Sequence, residues 1–330
     1  MIKPSSRERP GVTLIEILVV IFIIGVLLAL LLPAVQTGQE SARRTICQNN
    51  LKNITLGTLG FANQYQNLPA LYNGGFLPAP RSAIDEFHFH PWRTPILPYL
   101  EQSATFASIN LNLPATVAEN QTAINVSILV YTCPDARNPN QTVLDIARWN
   151  DGQFPVANIG TAARSDYEAV GGVQIAPQTK ISSDLGIIRF GVWGEPTYNT
   201  ANGVSIRYRK AQLADITDGL SNTILIGERA GRPDLYVKGK PDNPYPYLDK
   251  NTATDPQQAA WGISTHFWWL VNGRGQPVNQ TNSTGIFSFH PGGANIALAD
   301  GSVRFLKETT APAILKGLIT RSGSEVAQPD

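Results

Sequence analysis

Apolar residues fill the first part of the chain almost without a break. From Ile17 to Leu32 every residue is apolar or glycine, and the run carries on past Pro33 to Val35. As a helix over 12–35 this segment is about 36 Å long, enough to cross a hydrocarbon core of about 30 Å with some tilt. No polar face divides it, so a domain of this size has little room to bury it as a core helix. One carboxylate, Glu16, interrupts the run near its start. A charge at the centre of a span costs about 2.5–3.5 kcal/mol, so its presence there calls for a function.

The period then changes. Cys47, Leu51, Ile54, Thr58, Phe61 and Tyr65 recur at helical spacing, with Arg44, Gln48, Lys52 and Asn63 on the other side. This predicts that residues 36–66 continue the helix in amphipathic form, with the apolar stripe laid on a globular head. Gly57 and Gly60 weaken the helix, and "QNLPALYNGG" ends it. From Asn67 onward short β-like runs alternate with Pro, Gly and Asn turns. They are "VSILVYT" (126–132), "GIIRFGVW" (186–193), "VSIRY" (204–208), "TILIGE" (223–228), "ISTHFWWLV" (263–271), "GIFSF" (285–289), "NIALA" (295–299) and "SVRFL" (302–306). "ILPYLEQSATFASINL" reads as a short helix, and 237–258 as an exposed loop. The expected fold class is α+β: one long helix on a mainly antiparallel sheet within a head spanning 67–330.

Composition sharpens this picture in two ways. The 330 residues carry a net charge of +1 with only 15% charged side chains. No basic stripe is present, so nucleic acid is not an expected partner. The only cysteines are Cys47 and Cys133; beyond a membrane, in an oxidising compartment, they are expected to form a disulfide. The apolar run is not an ordinary signal peptide, because "LLPAVQTGQ" follows it without a small-residue cleavage pattern. Lys3, Arg7 and Arg9 before the span favour a cytoplasmic N-terminus, although Arg43, Arg44 and Lys52 beyond it weaken that bias.

"PGVTLIEILVVIFIIGVLLALLLPAV" resembles the N-terminal cleavage and methylation segment of type IV prepilins and type II secretion pseudopilins. The resemblance implies a basic leader of residues 1–11, cut by a prepilin peptidase between Gly11 and Val12, with the new N-terminus methylated. Val12 departs from the family's usual phenylalanine. Glu16 would then be the assembly residue, pairing with the terminal amine of a neighbouring subunit. The implied partners are the peptidase, copies of the chain or other pilin-like subunits, an assembly ATPase platform and the inner membrane, with the head outside the cytoplasm. The pattern "SARRTICQNNLKNITLG", "YTCPD", "DITDGLSNTILIGE" and "FSFHPGGANIALADGSVRFL" is also similar to large pilin-like proteins with a C-terminal H-x9-DG motif. That resemblance brings no activity with it. A membrane-tethered protein that binds a ligand or polymer through its head is the alternative.

The remaining candidates each have a plainer structural reading. His290 precedes two β-like runs joined by Asp300-Gly301, where Asp-Gly marks a tight turn. The expectation is a β-meander with His290 as a hydrogen-bonding support, because two residues do not make a ligand shell. Asp215, Asp218 and Asn222 offer hard oxygen donors that would suit calcium, yet they lack the alternating acidic spacing of an EF-hand and suit ordered turns. His88 and His90 lie on one side of an extended segment, with no third ligand evident, and read as a surface aromatic loop. Neither G-x-S-x-G nor H-E-x-x-H is present, so no enzyme and no cofactor are expected.

Overall fold

The computed structural model describes residues 13–73, 90–113, 115, 117–137, 161–174, 188–190, 196–199, 205–208, 211–232, 234, 236–241, 260–262, 269–272, 278–282 and 285–322. A single helix, α1 (Leu14–Tyr65), opens it. The chain divides into two compact units, Met1–Arg43 and Arg44–Asp330.

In the first unit α1 is apolar and exposed all round. Leu14, Ile15, Ile21, Phe22, Leu28 and Leu32 are all more than half exposed, as expected of a helix whose partner is lipid or another apolar helix. Pro33 sits inside the helix without breaking it. A proline there removes the hydrogen bond to the carbonyl four residues earlier. One turn later the Thr37 hydroxyl donates back to the Pro33 and Ala34 carbonyls at 3.1 and 2.9 Å.

In the second unit the helix continues amphipathic. Cys47, Leu51, Ile54, Thr58 and Ala62 are buried, so the stripe departs from the predicted one at its end. Tyr65 is 53% exposed, its ring tilted against that of Phe61 with centroids 4.5 Å apart. A 3.6-residue helix drifts away from a 3.5-residue repeat, which turns position 65 outward and brings Ala62 in. Gly57 and Gly60 have a packing role. A Cβ on Gly57 would meet the Leu100 side chain at 2.9 Å, and one on Gly60 would meet the Tyr99 ring at 3.0 Å. Both lie in the 3-10 turn Leu97–Leu100, which approaches the helix closely at the two glycines.

Among the described residues twelve strands follow: β1 (Tyr72–Asn73), β2 (His90–Pro91), β3 (Tyr167–Gln174), β4 (Ile188–Phe190), β5 (Pro196–Asn199), β6 (Ser205–Tyr208), β7 (Ile224–Glu228), β8 (Tyr236–Val237), β9 (Lys240–Pro241), β10 (Trp269–Asn272), β11 (Gly293–Leu298) and β12 (Val303–Lys307). The helices after α1 are α2 (Ser103–Ala107), α3 (Ala118–Ile124) and α4 (Pro312–Ile319). The main sheet has the order β10-β3-β7-β11-β12, with β4 also on β3. Every pairing in it is antiparallel except β10 with β3.

Both faces of this sheet are covered, which explains why its central strands read as near-continuous apolar runs. On β11, Ala297 joins the core that holds Cys47, Leu51 and Ile54 of α1, together with Ala299 just past the strand. Ala294, Ile296 and Leu298 point the other way, into a second core with Leu315, Leu318 and Ile319 of α4. The small alanines on the helix side leave room for α1. Arg93, 1% exposed, ties the loops to the sheet by donating to the Trp261, Tyr167 and Ala260 carbonyls and to Glu168.

Several local expectations are corrected. "VSILVYT" contains a 3-10 turn, Leu129–Tyr131, in place of a strand. The turn sends Ile128 and Tyr131 into the core and leaves Leu129 80% exposed; an unbroken apolar run cannot reveal that division. "GIFSF" makes only isolated bridges at Ile286 and Phe287. Residues 237–258 were expected to be all loop, but their start is a hairpin, with Lys238 and Gly239 both at positive φ between β8 and β9. β3, with the sequence YEAVGGVQ, is not among the β-like runs read from the sequence. It is central because pairing on both edges overrides the low strand propensity of glycine.

Gly293 shows how tightly the β11–β12 edge is made. A Cβ there would run into the Leu306 carbonyl oxygen and reach the Phe305 ring edge at 2.8 Å. The first obstacle is backbone, so it cannot swing aside. Gly293→Ala is expected to cost about 3 kcal/mol, the upper end of overpacking penalties. Thermal unfolding of the detergent-solubilised chain measures it.

Candidate functional site

At the start of α1 the Thr13 N–H donates to Glu16 Oε2 at 2.8 Å, and the Glu16 N–H donates to Thr13 Oγ1 at 3.3 Å. This is a reciprocal capping box, and it satisfies N–H groups that the first turn of a helix leaves without partners. The sequence carries the signal T-x-x-E at Thr13 to Glu16, so Glu16 caps the helix whatever else it does. Gly11 and Val12 lie outside the described residues.

A second polar site is buried where α1 meets the sheet in the second unit. Cys47 and Cys133 are joined in a disulfide with Cα atoms 5.2 Å apart and 86 residues of sequence separation. A loop of that size places the bridge at about 4 kcal/mol, the upper part of the usual range. The Cys133 N–H donates to Asp166 Oδ2 at 2.8 Å, and the Gly231 N–H donates to Asp166 Oδ1 at 3.1 Å. Arg164 Nη2 pairs with the same carboxylate at 2.9 Å. Burial pushes the Asp166 carboxyl above its usual range, against the pull of Arg164 and the two backbone donors. The Tyr167 hydroxyl donates to the Cys47 carbonyl at 3.3 Å, and burial holds that phenol well above its ordinary pKa.

His290 completes the cluster. Its Nε2 lies 3.7 Å from Cys133 Sγ and 3.6 Å from Glu228 Oε1, and its Nδ1 lies 3.5 Å from Asp135 Oδ2. The "HPGG" turn aims it inward: Gly292 takes a φ of 84°, and the His290 N–H donates to Ser288 Oγ at 3.1 Å. Glu228 ends β7, and its Oε2 accepts from the Asn295 N–H at 2.6 Å. Asn295 Oδ1 in turn accepts from Gln48 of α1 at 3.1 Å.

Asp300 and Gly301 are elsewhere. His290 precedes β11 and Asp300 follows it, so the strand keeps the two apart. Asp300 is exposed, and its Oδ1 accepts from the Ser302 N–H and hydroxyl at 2.8 and 2.6 Å, while Gly301 takes a φ of 87° in the tight turn. Lys52 Nζ of α1 donates to the Gly301 carbonyl at 2.6 Å, and the Arg44 guanidinium lies 3.4 Å over the Phe305 ring. The polar side of α1 thus rests on the β11–β12 hairpin.

Of the other candidates, Asp215 Oδ2 accepts from the Gln212 N–H at 2.9 Å, capping its own turn. The Asp218 N–H donates to the Arg321 carbonyl at 3.1 Å, and Asn222 Nδ2 donates to the Asp218 carbonyl at 3.5 Å. His90 is 4% exposed, with Nε2 2.9 Å from the Leu113 carbonyl, so the segment is not a surface loop there. Trp92 beside it is buried as well. Their apolar bodies fill the core while their polar atoms bond inward. His88 lies outside the described residues.

An exposed apolar half-helix with a capped start and a β-rich head defines the pilin-like class of protein. Comparisons with known proteins agree: the model of the prokaryotic N-terminal methylation motif matches residues 7–32. A second family model, described as "Protein of unknown function (DUF1559)", matches residues 36–313, and the chain belongs to that family. It is also similar to the type II secretion system core protein G of Pseudomonas aeruginosa, with 35% identity over 74 residues, 20% of this chain and 52% of that protein. The chain therefore spans about half the length of that relative. No solved structure matches it.

The buried cluster was only half legible beforehand. The sequence points to Cys47, Cys133 and His290 but not directly to Glu228, Asp166, Arg164 and Asp135. "TILIGE" contains the signal for Glu228, because a charged residue ending an apolar strand needs a buried partner.

Proposed function

We propose that this chain is a pilin-like structural subunit, anchored in the inner membrane by its apolar half-helix and carrying its head outside the cytoplasm. A prepilin peptidase cuts between Gly11 and Val12 and methylates the new terminus. The mature chain then assembles with copies of itself or with other pilin-like subunits, driven by an ATPase platform of the type II secretion or type IV pilus kind. The role is structural rather than enzymatic. The observation that carries this reading is the exposed apolar run of α1 from Leu14 to Val35. In water that surface is costly, roughly 25 cal/mol for each Å², and only lipid or neighbouring apolar helices would relieve it. The match to the methylation motif supports the same reading.

Intact-mass analysis of the native protein tests it. A mature chain beginning at N-methylated Val12 is expected, with Gly11→Ala processed better than a bulky replacement at Gly11. Retention of residues 1–11 beside an active prepilin peptidase would refute the reading.

A further inference from the structure

We propose that Cys47 and Cys133, when they are thiols, form with His290 and Glu228 a four-coordinate Zn²⁺ site, so that the disulfide and the zinc complex are alternative states of one place in the head. The inference does not depend on the pilin-like reading. One ligand atom from each of the four residues lies within 4.8 Å of all the others, and all four residues are buried. The separations suit a shared ion. Zinc binds sulfur at about 2.3 Å and nitrogen or oxygen at about 2.0–2.2 Å, so the edges of its tetrahedron are about 3.3–3.8 Å. His290 Nε2 stands 3.7 Å from Cys133 Sγ and 3.6 Å from Glu228 Oε1. The contact to Glu228 is too long for a good hydrogen bond, and both separations match tetrahedral edges.

The surroundings are those of a ligand set. A zinc-bound histidine usually offers its second ring nitrogen to a carboxylate, which fixes its orientation; His290 Nδ1 has Asp135 Oδ2 at 3.5 Å. The Asn295 N–H holds the far oxygen of Glu228 at 2.6 Å. Among the described residues the near oxygen, Oε1, is buried without a hydrogen-bond partner. Such an atom is costly, and a cation between Glu228 and His290 would satisfy it. A disulfide by itself needs neither an imidazole nor a carboxylate beside it.

The chemistry balances. Two thiols bind Zn²⁺ and release two protons. An oxidising disulfide then takes two electrons from the two thiolates and, with two protons, leaves as two thiols. The Cys47–Cys133 bond forms and Zn²⁺ is released. Thiol reductants run the sequence backwards. Every newly made chain passes through the dithiol state, so the zinc form would hold α1 against the head before the covalent bond does.

The test uses the full chain in detergent, oxidised or reduced with a phosphine, desalted without oxygen and titrated with Zn²⁺ or Co²⁺. Reduced protein is expected to retain one zinc per chain and to unfold at a higher temperature with zinc than without. Cobalt should show thiolate charge transfer and the intense visible bands of a tetrahedral ion. Oxidised protein should retain none. Asp135→Asn, a change at a partly exposed position behind His290, should weaken binding about 10–100-fold, and Glu228→Gln should weaken it at least as much. If the reduced chain unfolds without metal, zinc should refold it. The proposal is overturned if reduced protein neither retains zinc nor is refolded by it, or if the Cys47→Ser/Cys133→Ser double variant retains zinc equally well.

Discussion

Glu16→Ala is expected to leave membrane insertion and cleavage largely intact while incorporation into filaments falls sharply. After cleavage at Gly11, the chain would begin with a charged amine at Val12, one helical turn from Glu16. Where apolar half-helices pack together, an unpaired carboxylate is expensive. A neighbour's amine about 4 Å away would attract it by roughly 4 kcal/mol at an effective dielectric near 20, before desolvation is subtracted. A neighbour shifted along the axis would leave both charges unpaired, so the pair would set the register. The capping box adds a second effect, because Ala also removes the bond to the Thr13 N–H, one of the two bonds that start the helix. Glu16→Gln separates the two. Glutamine can close the same box but carries no charge. Loss of assembly in both variants, measured in sheared surface fractions with a head antibody, identifies the charge as the assembly device. Wild-type assembly by Glu16→Gln would reduce Glu16 to a helix cap, and a membrane-tethered binder would then be the better reading.

The largest stability loss is expected from Asp166→Ala. The carboxylate is fully buried and holds the Arg164 guanidinium and the N–H groups of Cys133 and Gly231. Burial already raises its pKa, so the charge itself is held at a cost. The damage on deletion comes from what is left behind, a buried guanidinium and two buried N–H donors. Removing one partner of such a pair costs about 3–5 kcal/mol, or a fall in melting temperature on the order of 10 °C. Asp166→Asn keeps an oxygen for at least one backbone donor and is expected to lose less. Near-ultraviolet circular dichroism of the full chain on heating reads both. An Asp166→Ala protein that melts like wild type would show the cluster to be a passive part of the core.

Hydrophobic pattern alone determined the largest features of this protein. The unbroken run from Ile17 to Leu32, the helical stripe beginning at Cys47, and the paired runs around Asp300-Gly301 became an exposed half-helix, a docked half-helix and the β11–β12 hairpin. Each rests on contacts within a few residues or on one repeated period, which a sequence carries openly. Tertiary structure decided the rest. YEAVGGVQ is a central strand because of partners on both sides, and the two glycines would otherwise argue against it. "VSILVYT" turns instead of extending because Ile128 and Tyr131 are drawn inward together. His290 meets Glu228 and Asp135 rather than Asp300, although Asp300 is the nearer in sequence to His290. Strand β11 separates the members of the motif, while the sheet brings the end of β7 and the turn after Cys133 to the same buried point. Adjacency of that kind is set by strand order and long-range closure, and no local spacing encodes it.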